Sequence, residues 1–126
     1  MRLLHATCAA MIWAACTTAA PAQTGDAAVQ RANRMAYEAS MKCFVANGVA
    51  TGEREDAGDR EAAARYERTA RKSFNTAVKL GEALGYTGTR INQDFGLAQA
   101  RELPKLATDG AYNRTTATTC RALGLM

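Results

Sequence analysis

Histidine and cysteine are the side chains that most often do chemistry, and in this sequence both are concentrated where they are expected to be lost. His5, Cys8 and Cys16 fall in the first sixteen residues, and only Cys43 and Cys120 follow. A segment without imidazole has no histidine general base, no histidine metal ligand and no Ser-His or Cys-His activation. Two cysteines cannot complete a structural zinc site, and no Cys-x-x-Cys or Cys-x-x-Cys-His pattern prepares a redox thiol or a haem attachment. Carboxylates alone can run glycoside hydrolysis. The densest acidic group here is Glu53, Glu55, Asp56 and Asp59. Its spacing does not fit a calcium loop, which needs alternating oxygen ligands, a glycine at the sixth position and a glutamate at the twelfth. Gly81, Gly85 and Gly88 lack the lysine-serine or strand-turn-helix setting of a phosphate loop and read as stops and turns. No cofactor and no metal are expected.

The segment holding His5, Cys8, Trp13 and Cys16 has the parts of an export signal. Basic Arg2 precedes a mainly apolar run from Leu3 to Ala15, and small residues lead to Ala20-Pro21-Ala22 before Gln23. The division is therefore a signal peptide over 1–22 and a single domain over 23–126. The alternative is lipoprotein processing, which makes Cys16 the anchored first residue and tethers the chain to a membrane. The apolar run is shorter than the roughly 20 residues a spanning helix needs, and no later stretch is apolar enough, so no transmembrane segment is expected in the mature chain. Export places the two remaining cysteines under oxidising conditions, and an even pair there reads as one disulfide, Cys43–Cys120. Closing a loop of nearly eighty residues stabilises the chain by on the order of 4 kcal/mol in the chain-entropy model.

What positions these residues is helical. The chain has only two prolines, Pro21 and Pro104, and its interior is rich in Ala, Arg, Glu, Leu and Met. A first helix is expected from a cap at Asp26, with Val29, Ala32, Ala36, Ala39, Cys43, Ala46 and Ala50 on its inner stripe and Tyr37, Met41 and Phe44 flanking and widening it. Polar residues from Thr51 to Gly58 break the pattern. Asp59 caps a second helix running to Leu84 and stopped by Gly85, its inner face formed by Ala63, Tyr66, Ala70, Phe74, Ala77, Leu80 and Leu84. A third helix is expected from a cap at Thr89, presenting Ile91, Phe95 and Ala98, and ending or kinking near Leu103 before Pro104. The last segment sets Tyr112, Thr116, Cys120 and Leu123 on one side ahead of Gly124, although its threonines are poor helix formers. The expected fold is all-α, a small antiparallel bundle of three to four helices with the disulfide joining the first and last.

Charge adds an exclusion. Loss of Arg2 leaves fifteen basic and twelve acidic residues, a net charge of +3. Signs alternate along the chain, as a solvated face does and a nucleic-acid groove does not, so no nucleic-acid partner is expected. Candidate partner contacts are Glu53, Glu55 and Asp56 in the polar segment and Tyr86 in a turn, where an aromatic ring either meets a partner or packs over the bundle end.

The Met41-Lys42-Cys43-Phe44-Val45-Ala46 stretch, the Thr119-Cys120-Arg121-Ala122-Leu123 stretch and the leader together give a layout that resembles small exported single-disulfide helical proteins of bacteria. Type VI secretion amidase immunity proteins are one such group. The resemblance implies a periplasmic or secreted, non-enzymatic protein that binds another exported or envelope protein; it carries over no inhibitory residue. Two other functions remain open on the residues: a small-ligand carrier using a pocket between helices, and an envelope hydrolase using Glu53, Glu55, Asp56 or Asp59. Intact mass of the exported protein is expected to place its N-terminus at Gln23. An acylated N-terminus at Cys16 contradicts that.

Overall fold

A computed structural model describes residues 21–126 in backbone and 25–126 in side chain. The leader up to Ala20 and the alternative anchor Cys16 lie outside the described residues. Four helices follow one another: α1 (Pro21–Asp56), α2 (Arg60–Ala83), α3 (Gly88–Thr108) and α4 (Gly110–Ala122). The described chain is an all-α bundle, and the Cys43–Cys120 disulfide joins its first and last helices.

The first helix is longer than expected at both ends. Asp26, the expected cap, lies inside the helix, which is described from Pro21. At the other end the segment from Thr51 does not break the helix, which runs to Asp56. Glu and Arg are good helix formers, and the Thr51 hydroxyl stays within the helix by donating to the Asn47 carbonyl at 2.9 Å. The actual stop is at Gly58, whose φ of 77° lets the Gly58 and Asp59 N–H groups close back on the Glu55 and Arg54 carbonyls.

The inner stripe of α1 also differs from expectation. Cys43 and Ala46 are buried and Ala39 and Ala50 half-buried, but Val29, Ala32 and Ala36 are exposed. Residues 25–36 are exposed apart from half-buried Asn33, while the middle of the helix is covered on several sides. The flanking Tyr37 and Met41 are buried as expected, and because α1 packs against all three other helices, Ser40, Val45 and Asn47 are buried as well. A single amphipathic stripe describes a helix with one covered face, and α1 is central.

The second helix matches its expected face: Ala63, Ala70 and Ala77 are buried, and Tyr66, Phe74, Leu80 and Leu84 half-buried. The Asp59 carboxylate accepts the Ala62 N–H at 3.0 Å, and the pairs Glu61–Arg65 and Glu67–Arg71 close at 3.1 and 2.6 Å on the exposed side. Its last turn comes close to its neighbours. A Cβ at Gly81 would lie 2.8 Å from Ile91 Cδ1 and 3.0 Å from Tyr37 Cε2.

Thr87, not Thr89, caps α3 by accepting the Arg90 N–H. Pro104 does not end this helix, which continues to Thr108. The ring removes one backbone bond, but Leu106 beyond it is almost fully buried against Val45 and Ala46, and that burial holds the last turn in place. Asp109 then ends α3 and caps α4. In α4, Thr116 and Cys120 face inward as expected, whereas Leu123 is 52% exposed. Leu125 takes the inner position because Gly124 turns the chain at φ 67°.

The core has three buried groups. Tyr37, Met41, Ala77, Ile91, Phe95 and Ala98 form the largest, with Phe74 stacked on Phe95 and Phe44 edge-on to it. A second gathers Cys43, Cys120 and Leu125, and a third Val45, Ala46 and Leu106. The tail is fixed by polar groups: the Leu125 carbonyl accepts from Asn47 Nδ2 at 2.7 Å and Ser73 Oγ at 3.3 Å, and the Gly124 carbonyl from Lys72 Nζ at 2.8 Å. The disulfide spans 77 residues. Replacing both cysteines by serine is therefore expected to remove about 4 kcal/mol of stability in urea unfolding. An unchanged unfolding midpoint contradicts this.

Candidate functional site

Two polar grooves stand out on the surface of the described bundle. The first, of about 400 Å³, lies between α1 and α3 beside the α2–α3 turn. Three-four spacing on α1 brings Tyr37 and Met41 to it, and the same spacing on α3 brings Arg90, Asp94, Leu97 and Arg101. The Tyr37 hydroxyl donates to Asp94 Oδ2 at 2.9 Å, and Arg90 Nε lies 3.6 Å from the same oxygen. The Arg90 guanidinium covers the Tyr86 ring at 3.7 Å, and that ring meets Tyr37 edge-on with centroids 5.4 Å apart. Burial, reinforced by the bond to Asp94, pushes the Tyr37 phenol well above its ordinary range, so it stays a neutral donor.

Next to this groove, Glu102 is a carboxylate with only 4% of its side chain exposed. Arg101 Nε donates to it at 2.7 Å, the Tyr112 hydroxyl donates to its other oxygen, and Lys105 Nζ stands 3.9 Å away. Lys42 from α1 sits over the Tyr112 ring at 4.4 Å. Burial works to raise the Glu102 pKa, but the Arg101 and Tyr112 hydrogen bonds and the attraction of Lys105 and Lys42 outweigh it, and the net direction is down. The group pins α3 to α4 as a fully partnered ion.

The second groove, of about 530 Å³, lies between the end of α1, the start of α2 and α4. Glu53, Arg54, Tyr66, Asn113, Arg114 and Arg121 contribute its polar lining.

The expected contacts do not meet. Tyr86 lines the first groove and Glu53 the second. The 24 residues of α2, about 36 Å of helix, lie between the two turns that carry them. Glu55 and Asp56 are exposed on the last turn of α1, at the negative end of its dipole, and not in a loop. Sequence reasoning passed over Arg90, Asp94, Glu102, Arg114 and Arg121. Glu102 was traceable, because the Ile91, Phe95, Ala98 stripe continued at the same spacing lands on it. Among the described residues no group of three His, Cys, Asp or Glu side chains is placed to hold a metal ion. The chemistry on offer is recognition by tyrosine, guanidinium and carboxylate groups.

A depressed carboxylate pKa stabilises the fold above the unfolded value, about 4.3, and that stabilisation is lost as pH falls through the folded value. Stability is therefore expected to drop on acidification below about pH 4. Glu102→Gln should cost about 2 kcal/mol near neutrality and flatten the acid limb, as followed by urea unfolding at several pH values. An acid limb identical in the variant contradicts the assignment. In comparison with known proteins, no family model matches the chain, and no curated protein or solved structure matches it either.

Proposed function

We propose that the chain is a non-enzymatic binding module that works outside the cytoplasm by holding another exported or envelope protein. The observation that carries this reading is the Tyr86–Arg90 stack at the mouth of the α1–α3 groove. Tyrosine and arginine dominate the binding energy of protein interfaces, and here both are ordered before any partner arrives, which lowers the entropy lost on binding. Leu97, 65% exposed on the same groove, adds an apolar contact. The disulfide suits an oxidising compartment, and no described helix is long and apolar enough to cross a membrane.

Inhibition of an exported enzyme, the role implied by the resemblance to immunity proteins, is a special case of this reading. A carrier role is less well supported, because small-ligand sites enclose most of their ligand and both grooves are open along one side. Glu53, Glu55, Asp56 and Asp59 are all exposed, a setting with no low-dielectric wall to prepare an acid and a base.

Affinity capture from crosslinked periplasm tests the proposal. The protein is expected to retain the same partner repeatedly, and Arg90→Ala and Leu97→Asp, both at exposed positions, to weaken that partner's binding by about tenfold each with helicity unchanged. Repeated recovery of no protein, or full retention by both variants, contradicts it.

A further inference from the structure

The groove at the other end of α2 has a different character. Arg54 enters it from the last turns of α1, and Arg114 and Arg121 from α4. Those two are seven residues apart, so they share one face of α4 with about 10 Å of helix between them. None of the three guanidiniums forms a salt bridge among the described residues. Arg90 and Arg101 in the first groove are by contrast both occupied, by Asp94 and Glu102. Arg114 Nη1 lies 3.4 Å from where a Cβ would sit at Gly110, so this guanidinium rests against the helix start. Glu53 is the only carboxylate in the lining, and Tyr66 and Asn113 add hydrogen-bonding groups. Three unpaired cations converging on a concave surface focus a positive potential there, and guanidinium forks match carboxylates in a bidentate way.

We propose that this groove binds an acidic peptide segment of the partner protein, with its carboxylates received by Arg54, Arg114 and Arg121. The inference rests on the binding-module reading for the ligand's being part of a protein. The geometry selects an extended ligand over a compact ion. The roughly 10 Å between Arg114 and Arg121 is the reach of about three residues of extended chain, and the groove is open along its length. Carboxylates two or four residues apart on an extended strand share one face and lie about 7 or 13 Å apart, which brackets that span, so a run of acidic residues can meet both arginines at once.

Fluorescence anisotropy with labelled hexaglutamate and labelled hexaglutamine, titrated with the oxidised protein at low salt, tests this. Hexaglutamate is expected to bind saturably and to weaken as salt rises, with hexaglutamine not binding. Arg114→Gln and Arg121→Gln, both on the exposed face of α4, should each lower affinity by about tenfold, whereas Arg34→Gln, at an exposed α1 position that lines the α1–α3 groove, should leave it within about twofold. Circular dichroism and a thiol assay on each variant establish that fold and disulfide are intact. Equal binding of the two peptides, unchanged affinity in the α4 variants, or an equal loss in Arg34→Gln overturns the proposal. Displacement by inorganic pyrophosphate far below the concentration at which added sodium chloride acts also overturns it, since the site is then selective for phosphate. A captured partner that is lost on Arg90→Ala but kept by both α4 variants, with no hexaglutamate binding, overturns the groove and leaves the module reading standing. Hexaglutamate binding without any captured partner supports the groove's chemistry while the module reading fails.

Discussion

The bond between Cys43 and Cys120 connects the middle of the central helix to the last turn of the final one, and the placement of α4 depends on it. With 13 residues, several of them threonine, α4 falls in the range where an isolated helix is marginal in water. It packs on α1 and α3. Beyond it, the buried amide of Asn47 reaches the Leu125 carbonyl, so the same stretch of α1 that carries the disulfide also holds the end of the chain. Asn47 Nδ2 satisfies two carbonyls, those of Cys43 and Leu125, while its Oδ1 is buried without a hydrogen-bond partner among the described residues. Because Arg114 and Arg121 are on α4, the cross-link also helps to hold the basic groove together.

A second constraint acts at the α3–α4 corner. Pro104 lies inside α3 and removes a backbone bond there, yet the helix continues for another four residues. On either side of it, Glu102 is held by Arg101 and Tyr112, and Leu106 is buried in the core. Contacts on both flanks outweigh the local preference to stop. Thr108 adds to this by donating to the Pro104 carbonyl at 2.7 Å.

Much of the fold was legible in the residues. Cysteine parity in a chain expected to be exported pointed to the Cys43–Cys120 disulfide, three-four spacing outlined α2, and the glycine stops at 85 and 124 fall at left-handed positions, whereas Gly81, read as a stop or turn, lies buried inside α2. The misreadings share one cause, which is that local pattern does not know what covers a helix. Val29, Ala32 and Ala36 continue the small-residue stripe of α1 but are exposed, while Ser40, Val45 and Asn47 lie off the stripe and are buried in a helix packed against α2, α3 and α4. Polar Thr51 to Asp56 suggested a loop, but polarity there reflects exposure of a helix that simply runs on. The candidate grooves were less legible still. Each depends on which helices become neighbours, so the pairing of Tyr37 with Asp94 across 57 residues, or of Arg54 with α4, leaves no trace in spacing.

The proposed function rests on two grooves at opposite ends of α2, one with its aromatic and cationic groups already stacked and one with cations that form no salt bridge among the described residues. Both use α1 as a fixed wall, and the basic one also needs α4 held against it. Native-state hydrogen exchange, compared between oxidised and reduced protein, tests this dependence most directly. The account predicts that reduction releases the amides of Thr116 to Cys120 while those in the middle of α2 remain protected. Equal protection of α4 in both redox states would contradict it.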